Sequence, residues 1–312
     1  MLDRALSFRP LRGFQGGVRG GLPDRAVTFR SAGRLALAAA SLLAYTAPAL
    51  AERDRYSGAP LAPQDERELP SPITDRFYVR ASFFSPSVQT SLRVDSSAGD
   101  PGTFVSAEKD LGLRGRAYQG RVELMFRLGG RNRLRVDYYE SDRSGSTALT
   151  RNVNFADQSF LAGDVAATSL DLRMFGLTYT YSFLKRDRFE LGGGLGVYLM
   201  QGDARGQVPA RRLSQEVSGV AAFPSLALDG TWRISSRFAF VARGQYLKAT
   251  VDGNSGSIGD YHADFQYRWR PNFAVGVGFS SMKVLLDVDG GSFPGLVHFA
   301  ANGPEAFFRV SF

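Results

Sequence analysis

The chain ends Ala306-Phe307-Phe308-Arg309-Val310-Ser311-Phe312, and the parity of these residues decides the fold. Ala306, Phe308, Val310 and Phe312 fall on one parity, Phe307, Arg309 and Ser311 on the other. Side chains of a strand point alternately to two faces, so this is a strand with one apolar face. A last strand with an open edge is an aggregation hazard in water. Pairing it with the first strand closes the sheet and removes both edges.

The same period recurs upstream as far as Arg76. Phe77, Val79, Ala81 and Phe83 alternate with Arg76, Tyr78, Arg80 and Ser82. Val122, Leu124, Phe126 and Leu128 alternate with Arg121, Glu123 and Arg127, and Leu134, Val136 and Tyr138 with Arg133, Arg135 and Asp137. Matching patterns run through 189–199, 226–234, 238–246, 261–269 and 273–280. In 165–183 the parity breaks: Leu170, Leu172 and Met174 hold one phase, and Leu177, Tyr179, Tyr181 and Phe183 the other. A β-bulge near Phe175-Gly176 would flip the facing and reconcile them. Short turns are expected at Gly129-Gly130, 185–188, Ser235-Ser236 and Pro271-Asn272, and long loops near 85–117, 140–165, 201–221, 248–260 and 286–297. Turns that alternate short and long suit a transmembrane antiparallel up-and-down β-barrel. Four short turns and five long loops give an all-β fold of ten strands over 76–312. Eight or twelve follow if a long loop hides or lends a hairpin.

The N-terminus reads as an address. Arg30 and Arg34 precede an apolar run over 35–44, and Ala47-Pro48-Ala49-Leu50-Ala51 leads to the charged Glu52. A basic region, a short apolar core and small residues at a cleavage site describe a signal peptide over 1–51. Its first 26 residues are long for that purpose, and a start downstream of Met1, at Val27 for example, is expected. The Pro-rich stretch 52–75 reads as a periplasmic linker. The chain has no Cys, so disulfides and thiolate metal sites are excluded. Its formal charge is +8; residues 1–51 hold seven Arg against Asp3 and Asp24, a net +5, which leaves +3 for the rest. With no basic run there, nucleic acid is not an expected partner.

A soluble sandwich also alternates, so the choice of solvent needs further evidence. Phe77, Phe183, Phe189, Trp232, Phe238, Trp269, Phe273 and Phe312 lie close to short turns or chain ends, and Tyr138, Tyr198, Tyr246 and Tyr261 close to long loops. Two belts about one strand apart are what amphipathic rings form at the two membrane interfaces. Arg80, Arg121, Glu123, Arg127, Arg135, Asp137, Asp229, Arg243, Asp264, Arg268 and Arg309 share the polar parity of their strands. In a barrel they line the lumen, where opposite charges pair.

The ending at Phe308, Val310 and Phe312 resembles the C-terminal signal of bacterial outer-membrane proteins. That likeness implies insertion by the barrel-assembly machinery, with outer-membrane lipid as the other partner and export through a cleaved signal peptide. Leu92-Arg93-Val94-Asp95-Ser96-Ser97, the stretch 102–113, Tyr179-Thr180-Tyr181-Ser182-Phe183 and Gly303-Pro304 resemble a loosely characterised family of proteobacterial outer-membrane barrel proteins over about residues 75–312. The resemblance implies fold and location and brings no catalytic residue. Lys109 stands where an acid is expected, so Glu108 and Asp110 read as polar loop residues rather than cation ligands.

Chemistry has little visible seat. His262 shares a strand face with Asp264, as in an Asp–His water-activating pair, yet no second acidic pair has matching spacing; a lumen hydrogen-bond network explains it as well. His298 lies near the last long loop with no partner in view. Gly192-Gly193-Gly194-Leu195-Gly196 lacks the strand–loop–helix setting of a phosphate loop and instead leaves room in a narrow barrel. No catalytic, cofactor-binding or metal site is expected, and the chain does not read as an enzyme. The leading expectation is a small barrel with a structural or surface-interaction role and a lumen largely filled by charge. The alternatives are a narrow porin-like channel, anion-preferring because lumen Arg outnumber acids, and a surface hydrolase acting on lipid or peptide.

Overall fold

A computed structural model describes residues 71–116, 119–251, 254–289 and 294–312. The expected signal peptide and residues 52–70 of the linker lie outside the described residues. The strands, in chain order, are β1 (Phe77–Phe84), β2 (Ser87–Val94), β3 (Val105–Ser106), β4 (Gln119–Leu128), β5 (Asn132–Ala148), β6 (Val153–Phe155), β7 (Gln158–Phe160), β8 (Val165–Lys185), β9 (Phe189–Val208), β10 (Leu213–Arg233), β11 (Phe238–Val251), β12 (Asn254–Arg270), β13 (Phe273–Val288) and β14 (Gly295–Ser311). The main sheet runs β1-β4-β5-β8-β9-β10-β11-β12-β13-β14 and returns to β1. Every pairing is antiparallel. β1 and β2 are two halves of one stave: β1 pairs with the lower half of β14 and β2 with its upper half. Pro86 sits at the break, where the ladder needs no N–H from it. The barrel therefore has ten staves.

The closing seam is the C-terminal strand. Val79 faces Val310 and Ala81 faces Phe308 across it. The Phe312 N–H donates to the Phe77 carbonyl, and the Arg76 and Phe77 N–H groups donate to the Phe312 carbonyl. The edge that would be a liability in water is fully paired.

The four short turns fall where the sequence places them, but most of the other connections are not long loops. Stretch 201–221 is strand except at 209–212, and the described residues of 248–260 are all strand. The long-loop end is built from strands that run on past the membrane. β8 has 21 residues; at ~3.3 Å per residue and a tilt of ~40° it stands roughly 50 Å tall, about twice the apolar band of a barrel.

That band is visible on the outer wall. Phe175, Leu177, Tyr179, Tyr181 and Phe183 of β8 all point outward and are exposed, and Leu195 and Val277 on other strands are each 64% exposed. A continuous apolar belt around ten staves far exceeds the patches of a water-soluble monomer; it is the surface of a membrane barrel. Among the described residues no helix is long and apolar enough to cross a membrane, so crossing is by strands.

No bulge exists at Phe175-Gly176. β8 pairs with β5 without a register break from Asn132↔Tyr181 to Ala148↔Val165, and the one irregularity against β9 lies between Ser182 and Leu184. The parity break has another cause. Below Phe175 the wall is apolar outside and polar inside; above it Asp171 and Arg173 point out while Leu172 and Met174 are buried inside. The strand keeps its phase while its two solvents exchange places. Outside, lipid gives way to water; inside, an ion-paired lumen gives way to an oily core.

The upper wall is incomplete between β2 and β5. β4 pairs with β5 only as far as Arg121↔Tyr139. Residues 95–116 fill the gap: β3 pairs with β2, and the Ala107 N–H donates to the Thr90 carbonyl at 2.9 Å. Gly145 of β5 lies so close to Gly112 that a Cβ there would stand 2.3 Å from the Gly112 carbonyl oxygen. Only glycine permits that approach.

Candidate functional site

All eleven residues of the expected charge network are buried inside the barrel. Inward positions follow directly from the parity of each strand, and cross-strand neighbours bring opposite charges into reach. They form tiers, joined by partners that the sequence does not single out.

The lowest tier seals the short-turn mouth. Residues 71–75, expected in the linker, fold into it: Ser71, Ile73 and Asp75 are buried. Asp75 Oδ2 accepts from Arg268 Nη2 and Arg309 Nη2 at 2.5 Å each. The linker boundary at 75 is thus corrected; an apolar Ile73 and a buried counter-charge hold this segment against the barrel. Beside it Arg127 makes a two-pronged contact with Glu190 at 2.6 and 2.9 Å. Ser182 donates to the same carboxylate, and Arg133 reaches Asp229 at 2.5 Å.

The middle tier centres on Glu123, whose side chain is 1% exposed. Arg243 lies 2.6 Å from one oxygen, Arg135 3.5 Å from the other, and the Tyr78 hydroxyl donates to it. Arg80 bridges Asp264 at 2.9 Å and Glu305 at 2.5 Å while its guanidinium lies 3.6 Å from the centre of the Phe307 ring. Asp137 faces Glu123 across the β4–β5 pair and makes no ion pair of its own within 4 Å among the described residues.

The upper tier holds His262. Its acidic neighbours are Asp260, at 3.0 Å, and Glu305, at 3.6 Å, and not Asp264, which is bound to Arg80. Arg121 contacts both the imidazole and Asp260. Tyr198 donates to Asp260 at 2.8 Å and accepts from the Gln245 amide at 2.9 Å. Tyr198 is therefore a lumen residue and leaves the upper belt. Gly176, directly across the β8–β9 pair, makes room for it, since a Cβ there would stand 2.6 Å from the ring. The expected role of inward glycines as space for large neighbours holds here and at Gly276, which lies against the Phe307 ring.

Asp75, Arg133, Glu190, Asp260 and Glu305 complete the tiers without having been predicted. Arg133, Glu190, Asp260 and Glu305 share the inward parity of their strands, which is a usable signal. Nothing local marks Asp75. Among the described residues nine Arg and nine Asp/Glu side chains are buried. The expected Arg excess, and the anion preference built on it, is corrected.

Above the tiers the lumen changes character. Leu172, Met174, Met200, Phe223, Met282 and Phe299 belong to one buried apolar cluster that spans the barrel. A cavity of about 330 Å³ rests on it. A second cluster, built by Leu92, Val105, Leu113, Val153, Phe155, Phe160 and their neighbours, packs residues 105–113 and the β6–β7 hairpin against β8 and β9. Here Arg143 donates to Glu108 at 2.6 Å and to Thr90, and the Thr90 N–H also donates to Glu108. Asp110 pairs with Arg151 at 3.2 Å. Both loop acids are committed to arginines. The sequence missed this oily interior because lumen-facing positions were expected to be polar throughout.

The lower belt lies on the outer wall at the short-turn end. Phe77 packs on Phe126 and Phe312 with ring centres 4.8 and 5.7 Å apart, and Trp269 on Phe273 and Phe308 at 6.0 and 5.9 Å. Phe238 meets Tyr267 at 5.0 Å; Phe189 and Trp232 are exposed beside the turns. Tyr246 and Tyr261 mark the upper boundary, exposed by 52% and 45%. His298 points outward, with the Phe104 ring edge-on to it.

No family model matches the chain, and no curated protein matches it. Among solved structures, outer-membrane barrels are similar to it at low identity. The outer membrane protease OmpT from Escherichia coli is 12% identical, with a TM-score of 0.49, over 76% of this chain and 96% of that one. Ail, the attachment invasion locus protein of Yersinia pestis, is 10% identical, with a TM-score of 0.35, over 75% and 99%. The toluene transporter TodX from P. putida is 9% identical, with a TM-score of 0.30, over 78% and 93%. None of their activities is carried to this chain by such a likeness.

Proposed function

We propose that the protein is a non-conducting barrel of the Gram-negative outer membrane whose working end faces the medium. One observation carries this reading: at the height of the lipid band the lumen is crossed by three tiers of buried, mutually paired charges. The charges of the three tiers balance only when taken together, and a permeating ion would have to break pairs held at 2.5–3.1 Å. Breaking a buried pair costs roughly 3–5 kcal/mol, which opposes a permanent water path. What remains accessible is the strand-built chamber above the membrane. That favours a surface-interaction role over the porin-like one.

The same geometry argues against a hydrolase. His262 and Asp260 lie beneath the Met/Phe layer, with Arg121 already on both. A substrate arriving from outside would meet that layer first. Phe308, Val310 and Phe312 all face lipid on the closing strand, and we read them as the signal that the assembly machinery takes up.

Planar-bilayer recording of the purified chain tests the reading. Silence at potentials up to 100 mV is expected. Stepwise conductance of the unmodified protein would overturn it.

A further inference from the structure

The cavity above the ion-pair tiers is lined by eight of the ten staves, with Leu172, Met200, Gly202, Ala221, Leu286 and Phe299 on its floor and walls. Its upper rim is set by the ends of β2, β12, β13 and β14, at Val94, Asn254, Val288 and Gly295. Small-molecule sites are concave, mostly apolar and ~300–1,000 Å³ in volume. This one is in range.

Three features speak against a mere packing defect. First, the space is made by small residues at inward positions. Gly202 and Gly219 face each other across β9 and β10, and a Cβ built on Gly202 would meet no atom within 4 Å. Protein interiors are normally close-packed, and a larger side chain at either glycine would narrow the gap. Second, the polar groups of the wall are committed elsewhere. Arg143 is bound to Glu108 and Thr90, Arg93 pairs with Asp95 at 3.0 Å, and Ser141 accepts from the Gln119 amide. A charged ligand would find no free counter-charge among these groups. Third, the cavity stands above the lipid band on the β5–β8–β9 side, since the outward residues of those strands at its height are Asp142, Arg173 and Gln201, all exposed. Its supply is the aqueous side.

We propose that this cavity is a binding site for an uncharged, hydrocarbon-rich small molecule taken from the medium. The site deepens the surface-facing reading above and rests on it, while conductance is tested separately and without ligand.

The test uses the full chain in lipid nanodiscs with ¹³C-methyl methionine. Met200 lines the cavity, and Met125, buried in the ion-paired lumen below, serves as the internal control. Cyclohexane is titrated as the probe, with cyclohexylammonium as its charged counterpart. A saturable shift of the Met200 methyl with cyclohexane is expected, with Met125 unmoved and at least tenfold weaker binding of the cation. Gly202→Leu and, independently, Ala221→Leu should weaken cyclohexane binding at least tenfold while the Met125 signal stays in place and shows a folded barrel. A non-saturating shift, or one equal in both filled variants, would overturn the proposal. So would paramagnetic broadening of Met200 by nanodisc lipid spin-labelled at its acyl terminus, because the occupant would then be a membrane lipid.

Discussion

Replacing Asp75 by Asn removes one charge and strands two. Its Oδ2 accepts from Arg268 and Arg309 at 2.5 Å each, and its side chain is 1% exposed. Taking one partner from a buried ion pair costs roughly 3–5 kcal/mol, because the other charge stays desolvated. Two arginines are affected here, but neither is left without a contact. Arg268 Nη1 still donates to the Pro271 carbonyl, and Arg309 still donates to Ser311 and Gln266 and lies over the Tyr78 ring. The lower end of the range therefore applies, about 3 kcal/mol, or about a 150-fold shift in the unfolding equilibrium. Urea unfolding of the barrel in lipid vesicles, followed by tryptophan fluorescence, measures it. The double variant D75N/R309Q should recover part of the loss, since one uncompensated charge is removed. The same substitution loosens residues 71–75 from the mouth but leaves the two tiers above it paired, so D75N in a planar bilayer should stay as silent as the parent. A stability change of D75N below about 0.5 kcal/mol would refute the reasoning, for it would mean that water already screens the tier.

Three further outcomes follow. Gly202→Leu should stabilise the unliganded barrel by about 1–2 kcal/mol, because filling a void reverses a cost of about 24 cal/mol per Å³; a loss in urea midpoint would show the space to be too small or wrongly shaped. Val277→Arg, near the middle of the lipid band and 64% exposed, should cost about 2–4 kcal/mol in vesicles, and a neutral result would place that face in water. The Asp164 carboxyl, outside the band, is held below the usual carboxylate range by the Leu161 N–H and then by Arg211. Its contribution is complete above the ordinary carboxylate pKa and fades as pH falls through the lowered one. Carboxyl NMR should find Asp164 titrating below its neighbours, and Arg211→Ala should raise its pKa.

Much of this architecture is legible in the residues. Gly129-Gly130 and Pro271-Asn272 mark their turns because few other residues tolerate them. The eleven predicted lumen charges share one phase, and phase is all that facing requires. Asp75 is different: it precedes the first strand, and only the closed mouth brings it to Arg268 and Arg309, both near the far end of the chain. His262 shares its face with both Asp264 and Asp260, and the choice between them fell to Arg80, which claims Asp264 from the seam. The Leu170–Met174 run pointed to a bulge only under the assumption that a lumen keeps one polarity along its height.

Alternation of period two, a closing aromatic strand and the spacing of turns determined by themselves that this chain forms a closed β-barrel, with ten the first of three possible strand counts, because facing and pairing are local properties of an extended backbone. Which charges meet, how far the staves outrun the membrane and where the interior turns from ionic to oily were decided only by the tertiary structure. Each depends on what lies across the barrel at the same height, and closure alone brings those residues together.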